Sequence, residues 1–216
     1  MKRERSCLVL IFRLTDTAYR PRSGLPYGVA STVPEAFDGM RGHGIPDANG
    51  LQARIKGADD HSGPWPTISV WHGTSDNTVV PGNAAAIVEQ WRDVHDVERQ
   101  PTASSTVDGH LRAVWRDVSG RDAIEFYEIQ GMAHGTPLDV GSGYGKSGPF
   151  MLDVGISSTV HIARSWGLAA SFERQAQEVE HPGDTNAAQA EQTGLYGQAN
   201  IQSVIEEALR SAGLMR

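Results

Sequence analysis

Apolar residues along the chain follow two rhythms, one alternating and one recurring every three to four positions, and each marks a different kind of element. Thr67 to Trp71, with Ile68, Val70 and Trp71, suits a buried or half-buried strand, and Gly73 lets the backbone turn sharply where that strand stops. The turn that follows, His72 to Asn77, carries Asp76. Ala123 to Ile129 reads as another strand, with Ile124, Phe126 and Tyr127, and runs into a glycine-bounded turn that holds His134. Helical spacing is clearest in Gly82 to His95, where Ala84, Ile87, Val88, Trp91 and Val94 share one side and Asn83 stands at the cap position. Val33 to Met40 opens a helix with Pro34 in its first turn and Glu35 near its positive end. Ile156 to Leu168 reads as a helix closed by Gly167, and Asn200 to Leu214 as an amphipathic helix ended by Gly213. Thr106 to Val118 alternates weakly, as a hairpin or an extended excursion. Gly42 to Gly50 reads as a loop, and the ground up to Trp65 is mixed, with Pro64 and Pro66 stopping any helix before the strand. Ala170 to Tyr196 is polar and poor in apolar residues, which predicts a solvated connection.

Two strand-and-turn units therefore each deliver one reactive side chain. An acid just past a strand end is where α/β enzymes place chemistry. Asp76 followed later by His134 matches the acid-then-histidine order of an α/β hydrolase triad, whose serine is expected upstream. Asp76 also fits a plain turn residue, and His134 a surface histidine. His72, in a strand-end His-Gly turn, is expected to make a local hydrogen bond, and with Asp76 and His134 it has no zinc-site spacing such as H-E-x-x-H. The run from Val140 to Ser147, VGSGYGKS, is one residue short of a phosphate-cradling loop, since Val140 stands where the first glycine belongs. With Leu138-Asp139 before it and Gly148-Pro149 after it, the run reads as a surface loop. Trp65, Trp71, Trp91, Trp115 and Trp166 are spread over separate elements, which predicts core packing.

Composition narrows the partners. A net charge of −7 leaves little basic surface to neutralise phosphates, so no nucleic-acid partner is expected. The single cysteine, Cys7, excludes an internal disulfide and a cysteine-based zinc cluster. No apolar run reaches the roughly 20 residues needed to cross a bilayer, so no membrane span is expected. At 216 residues the chain is sized for one domain with an appendage.

Taken together, WHGTSDNTVVP, GNAAAIVEQW, EFYEIQGMAHGTPLD, ISSTVHIARSWGL, the terminal helix, GLPYG and PEAFDGM resemble the esterase family of the poly(3-hydroxybutyrate) depolymerases and related feruloyl-type and acetyl-type esterases. The likeness runs from about Ser23 to Arg216, in the family's order. It implies the C-terminal part of an α/β hydrolase fold, a mostly parallel sheet flanked by helices, with the N-terminal strands and nucleophile elbow missing. By resemblance Asp76 is the acid that orients the histidine and His134 is the general base, and the substrates are carboxylic esters, often polymeric. No cofactor or metal is implied.

The family's nucleophile sits in a G-x-S-x-G elbow ahead of the segment matched by GLPYG, and no serine here has glycine on both of its second neighbours. Residues 1–22 hold six basic residues and one short apolar run, Cys7 to Phe12, and read as an irregular, unmatched leader. The expected organisation is that leader, a partial hydrolase domain over 23–168, a polar loop over 169–199 and a last helix of the same domain over 200–216. As it stands the chain is expected to be inactive toward esters. The alternative is a non-catalytic remnant or interaction module that keeps the half-fold. A sheet stripped of its N-terminal strands is expected to self-associate through its exposed edge. Localisation stays open: relatives are often secreted, but Cys7 to Phe12 is shorter than a signal-peptide core and ends at Arg13.

Overall fold

The computed structural model describes residues 18–19, 24–58, 65–165 and 167. All of these belong to the first of the two units into which the chain divides, Met1–Gln177 and Glu178–Arg216. The expected helix over Asn200 to Leu214, the polar stretch from Ala170 to Tyr196, Trp166 and most of the leader lie outside the described residues.

The centre of the described unit is a five-stranded sheet of order β1-β2-β5-β4-β3. Its strands are β1 (Ala18–Tyr19), β2 (Thr67–Gly73), β3 (Ala103–Val107), β4 (His110–Arg116) and β5 (Asp122–Ile129). The α/β class and the flanking helices are as the sequence implies. The sheet itself is mixed rather than mostly parallel: β1 with β2 and β2 with β5 run parallel, whereas β5 with β4 and β4 with β3 run antiparallel. The reason is local. The weak alternation over Thr106 to Val118 is a hairpin turned by Asp108 and Gly109, both with positive φ (48° and 84°), the two-residue connection that suits twisted antiparallel strands.

Side-chain alternation sends the two faces of the sheet into separate cores. Ile68 and Val70 of β2 and Ile124 of β5 pack against α3 (Gly82–Arg92), through Ala84, Ile87, Val88 and Trp91. On the opposite face Trp71 stacks on Tyr127, with ring centroids 3.7 Å apart, and joins Ile129, Met132 and Ile162 of α4 (Ser158–Ser165). The apolar stripe read from the sequence of α3 is therefore the stripe that is buried. Trp71, Trp91 and Trp115 are core residues, and Trp65 packs on the core that holds Trp91 and Trp115.

The helix α1 (Val33–Met40) begins on a capping box between Thr32 and Glu35. A helix the sequence did not announce, α2 (Ala48–Lys56), starts on Asp47 and takes in the end of the expected Gly42–Gly50 loop and the first part of the stretch expected to be mixed. It buries only Leu51 and Ile55, one turn apart, too narrow a stripe to stand out as a period. Asn83 is not a cap: Pro81 holds that position, and Asn83 is buried, donating to the carbonyls of Gly39 at 3.0 Å and Met40 at 3.3 Å. It ties the end of α1 to the start of α3. Gln90, also buried, accepts from Tyr27 N–H at 2.7 Å and donates to the carbonyls of Tyr27 and Leu51 at 2.9 Å, pinning the turn-rich segment near Tyr27 to α3.

Past the sheet, β6 (Thr136–Leu138) and β7 (Met151–Asp153) form a short parallel pair. Between them Val140–Ser142 makes a single helical turn, so the near-match to a phosphate loop has β6 before it but no helix directly after Lys146-Ser147.

Candidate active site

Asp76 and His134 come together because β2 and β5 are parallel neighbours, with Gly73 opposite Ile129. Parallel strands end on the same side, so the turns that follow them share one edge of the sheet. Those turns are laced together: Thr74 N–H donates to Ile129 O and Ser75 N–H to Met132 O, both at 3.0 Å, and Gly131 N–H donates to Thr74 Oγ1 at 2.8 Å. Gly73 makes the close approach possible. A methyl group there would stand 2.1 Å from the carbonyl oxygen of Met132, inside any tolerable contact.

The imidazole Nδ1 of His134 lies 2.9 Å from Asp76 Oδ2. The other carboxylate oxygen, Oδ1, accepts from the backbone N–H groups of Thr78 and Val79, both at 2.9 Å. One oxygen thus fixes the turn while the other faces the histidine. Burial by itself would raise the Asp76 carboxyl, but the His134 hydrogen bond and the Val79 and Thr78 amides outweigh it and hold the group below the ordinary carboxylate range. Asp76 is therefore an anion that accepts the Nδ1 proton, which leaves His134 Nε2 with a lone pair. The Asp76 side chain is wholly buried, whereas that of His134 keeps 24% of its surface exposed, enough to meet a group from outside.

His72 lies behind the pair. Its Nε2 donates to Val79 O at 2.9 Å and stands 3.8 Å from Asp76 Oδ2. Burial lowers its pKa more than the nearby Asp76 raises it, so it remains neutral and braces the Asp76 turn. The local hydrogen bond expected for His72 is the one found. Among the described residues no three His, Cys, Asp or Glu side chains gather as a metal site, and no helix is long and apolar enough to cross a membrane. No serine of the described residues is hydrogen-bonded to His134.

Poly(3-hydroxyalkanoate) depolymerase C of Paucimonas lemoignei is 39% identical over 154 residues, 68% of this chain and 37% of that protein. Over part of its length the chain is thus similar to a protein of the poly(3-hydroxybutyrate) depolymerase and esterase kind. Acetylxylan esterase of Coprinopsis cinerea is 37% identical over 78 residues, 36% of this chain and 20% of that protein. The chain thus spans little more than a third of the length of the first relative and a fifth of the second. Among solved structures, a PHB depolymerase complexed with R3HB trimer covers 69% of the chain and 43% of its own, at 16% identity and a TM-score of 0.46. No family model matches the chain.

Both residues that the esterase resemblance singles out stand in one site, with His134 reaching Asp76 across 58 positions of sequence. What the sequence did not disclose is the rest of the wall around the histidine. Phe150, 39% exposed, sets its ring edge-on to His134 with centroids 6.0 Å apart. The available signal was Gly148-Pro149, a turn dipeptide, which says that the chain reverses there but not what it reverses against.

Proposed function

We propose that this chain carries the acid–base half of a serine carboxylic-ester hydrolase, with Asp76 orienting His134 and His134 taking the proton of a serine hydroxyl. The observation that supports it most is the 2.9 Å pairing of a buried, amide-anchored carboxylate with a partly exposed imidazole. In the reaction, the serine proton passes to His134 Nε2 as the hydroxyl oxygen bonds to the ester carbonyl carbon. The alcohol leaves with that proton, and water, deprotonated by the same nitrogen, releases the acid and restores the serine. The Asp76 carboxylate stabilises the imidazolium formed midway. Polymeric esters are the proposed substrate class, because the similar proteins are named as a polyhydroxyalkanoate depolymerase and an acetylxylan esterase.

The 216 residues hold no G-x-S-x-G, so the reading has the chain acting with a serine that its own sequence does not present in that form. Two preparations test it with a chromogenic short-chain ester. The chain alone is expected to show no turnover above its His134→Ala variant. The chain preceded by the N-terminal part of the Paucimonas relative is expected to hydrolyse the ester, Asp76→Asn in it to cost about 10⁴-fold and His134→Ala about 10⁶-fold. A joined protein that is active and indifferent to both substitutions rejects the assignment. Ester cleavage by the chain alone, dependent on His134, rejects the missing nucleophile.

A further inference from the structure

We infer that Phe150 is a specificity-determining residue, its ring forming the apolar wall beside His134 against which the acyl chain of an ester lies. The inference rests on the reading of Asp76 and His134 as an esterase pair and adds to it the side of the site that selects the substrate. Gly148 to Met151 is a tight turn: Met151 N–H donates to Gly148 O at 3.0 Å, Pro149 takes the second position and Phe150 the third. Phe150 has φ +60°, in the left-handed region that such turns normally give to glycine or asparagine. A bulky aromatic there is strained, and a backbone outlier of this kind is a pointer to function when folding offers no reason for it. Folding offers none here, since Phe150 is 39% exposed and belongs to neither hydrophobic core.

The turn is nonetheless held firmly where the ring meets the histidine. Thr136 N–H, two residues past His134, donates to Phe150 O at 2.7 Å. Gly135 admits that carbonyl, because a methyl on it would stand 2.7 Å from Phe150 O. Immediately beyond, Met151 is in register with Thr136 in the β6–β7 pair. The loop bearing the base and the turn bearing the ring are thus locked to each other by backbone, while the ring is left open to solvent. An apolar face fixed beside a proton acceptor favours a ligand with an aliphatic chain next to the atoms that exchange the proton.

The test uses the full chain and needs no turnover. Ethyl acetate, ethyl butyrate and ethyl hexanoate are titrated against isotope-labelled protein while the His134 ring signal, assigned with His134→Ala, is followed by NMR. Affinity is expected to rise about tenfold from acetate to hexanoate, as partial burial of the added methylenes would give. Phe150→Gly is expected to remove that rise and leave thermal stability undiminished, since glycine suits the left-handed turn position better. Phe150→Tyr is expected to keep the rise. Phe150→Asn, which also tolerates the left-handed region, is expected to behave as Phe150→Gly and reads the same loss from a second backbone. A glycine or asparagine variant that keeps the chain-length dependence overturns the role of Phe150 and leaves the Asp76–His134 reading standing. Loss of all three esters alike in both variants makes Phe150 merely structural and overturns it too. If no ester moves the His134 signal in the unaltered chain, the inference falls, and the Asp76–His134 reading is decided separately by the joined protein.

Discussion

Asp76 carries more constraint than any other residue of the site. Its Oδ1 closes the turn through two amides and its Oδ2 accepts the His134 Nδ1–H hydrogen bond, so protonating it weakens both. Because its folded-state pKa lies below the ordinary value, its stabilising contribution is present above about pH 4 and is lost as the pH falls through the lowered value. His72 is also depressed, but in a base this means that the folded protein resists a proton the unfolded chain accepts near pH 6.5. Its contribution is therefore full above about 6.5 and declines below it. His95, likewise depressed by burial, adds to that limb. Urea midpoints measured between pH 8 and 3 are expected to fall in two stages, a histidine stage first and a carboxylate stage later. His72→Gln should shrink the first and Asp76→Asn the second; a flat profile down to pH 4 would contradict the buried, neutral state of His72.

At the level of elements, the site depends on how two parallel strands finish. β2 and β5 deliver their turns to one edge, and Gly73 lets those turns touch. Gly73→Ala would drive a methyl into the Met132 carbonyl, an overpacking of backbone on backbone that neither side-chain rotation nor a small shift relieves. The expected cost is about 3 kcal/mol, read as a lowered urea midpoint. It should be accompanied by a change in the His134 ring signal, because the Met132–Ala133 segment leads directly into the histidine. A variant as stable as the unaltered chain, with an unmoved His134 signal, would show that the turns do not need the contact.

For the whole unit, what matters is the way the sheet ends. Among the described residues one end is β3, whose Ser104, Ser105 and Thr106 are exposed, and the other is the two-residue β1, which pairs with Thr67 and Ile68. Short or polar edges are the usual protection against strand pairing between molecules, and β1 is short enough to leave most of β2 beyond its reach. Self-association through that side is the expected behaviour at tens of micromolar, as a light-scattering mass that rises with concentration. A constant monomer mass would reject it.

The sequence determined the parts by itself. The alternation in β2 and β5, the helical stripe of α3 and the small-residue turns around Asp76 and His134 are local patterns, and local patterns are legible without knowing what lies opposite. The order of acid and histidine is equally a property of the chain. Tertiary structure decided everything that depends on a partner distant in sequence. That Asn83 reaches α1 instead of capping α3, that Gly73 faces the Met132 carbonyl and that Phe150 meets His134 all follow from which strands lie side by side. A residue's type limits what it can bond to, but only the packing of the sheet sets which group arrives within 3 Å of it.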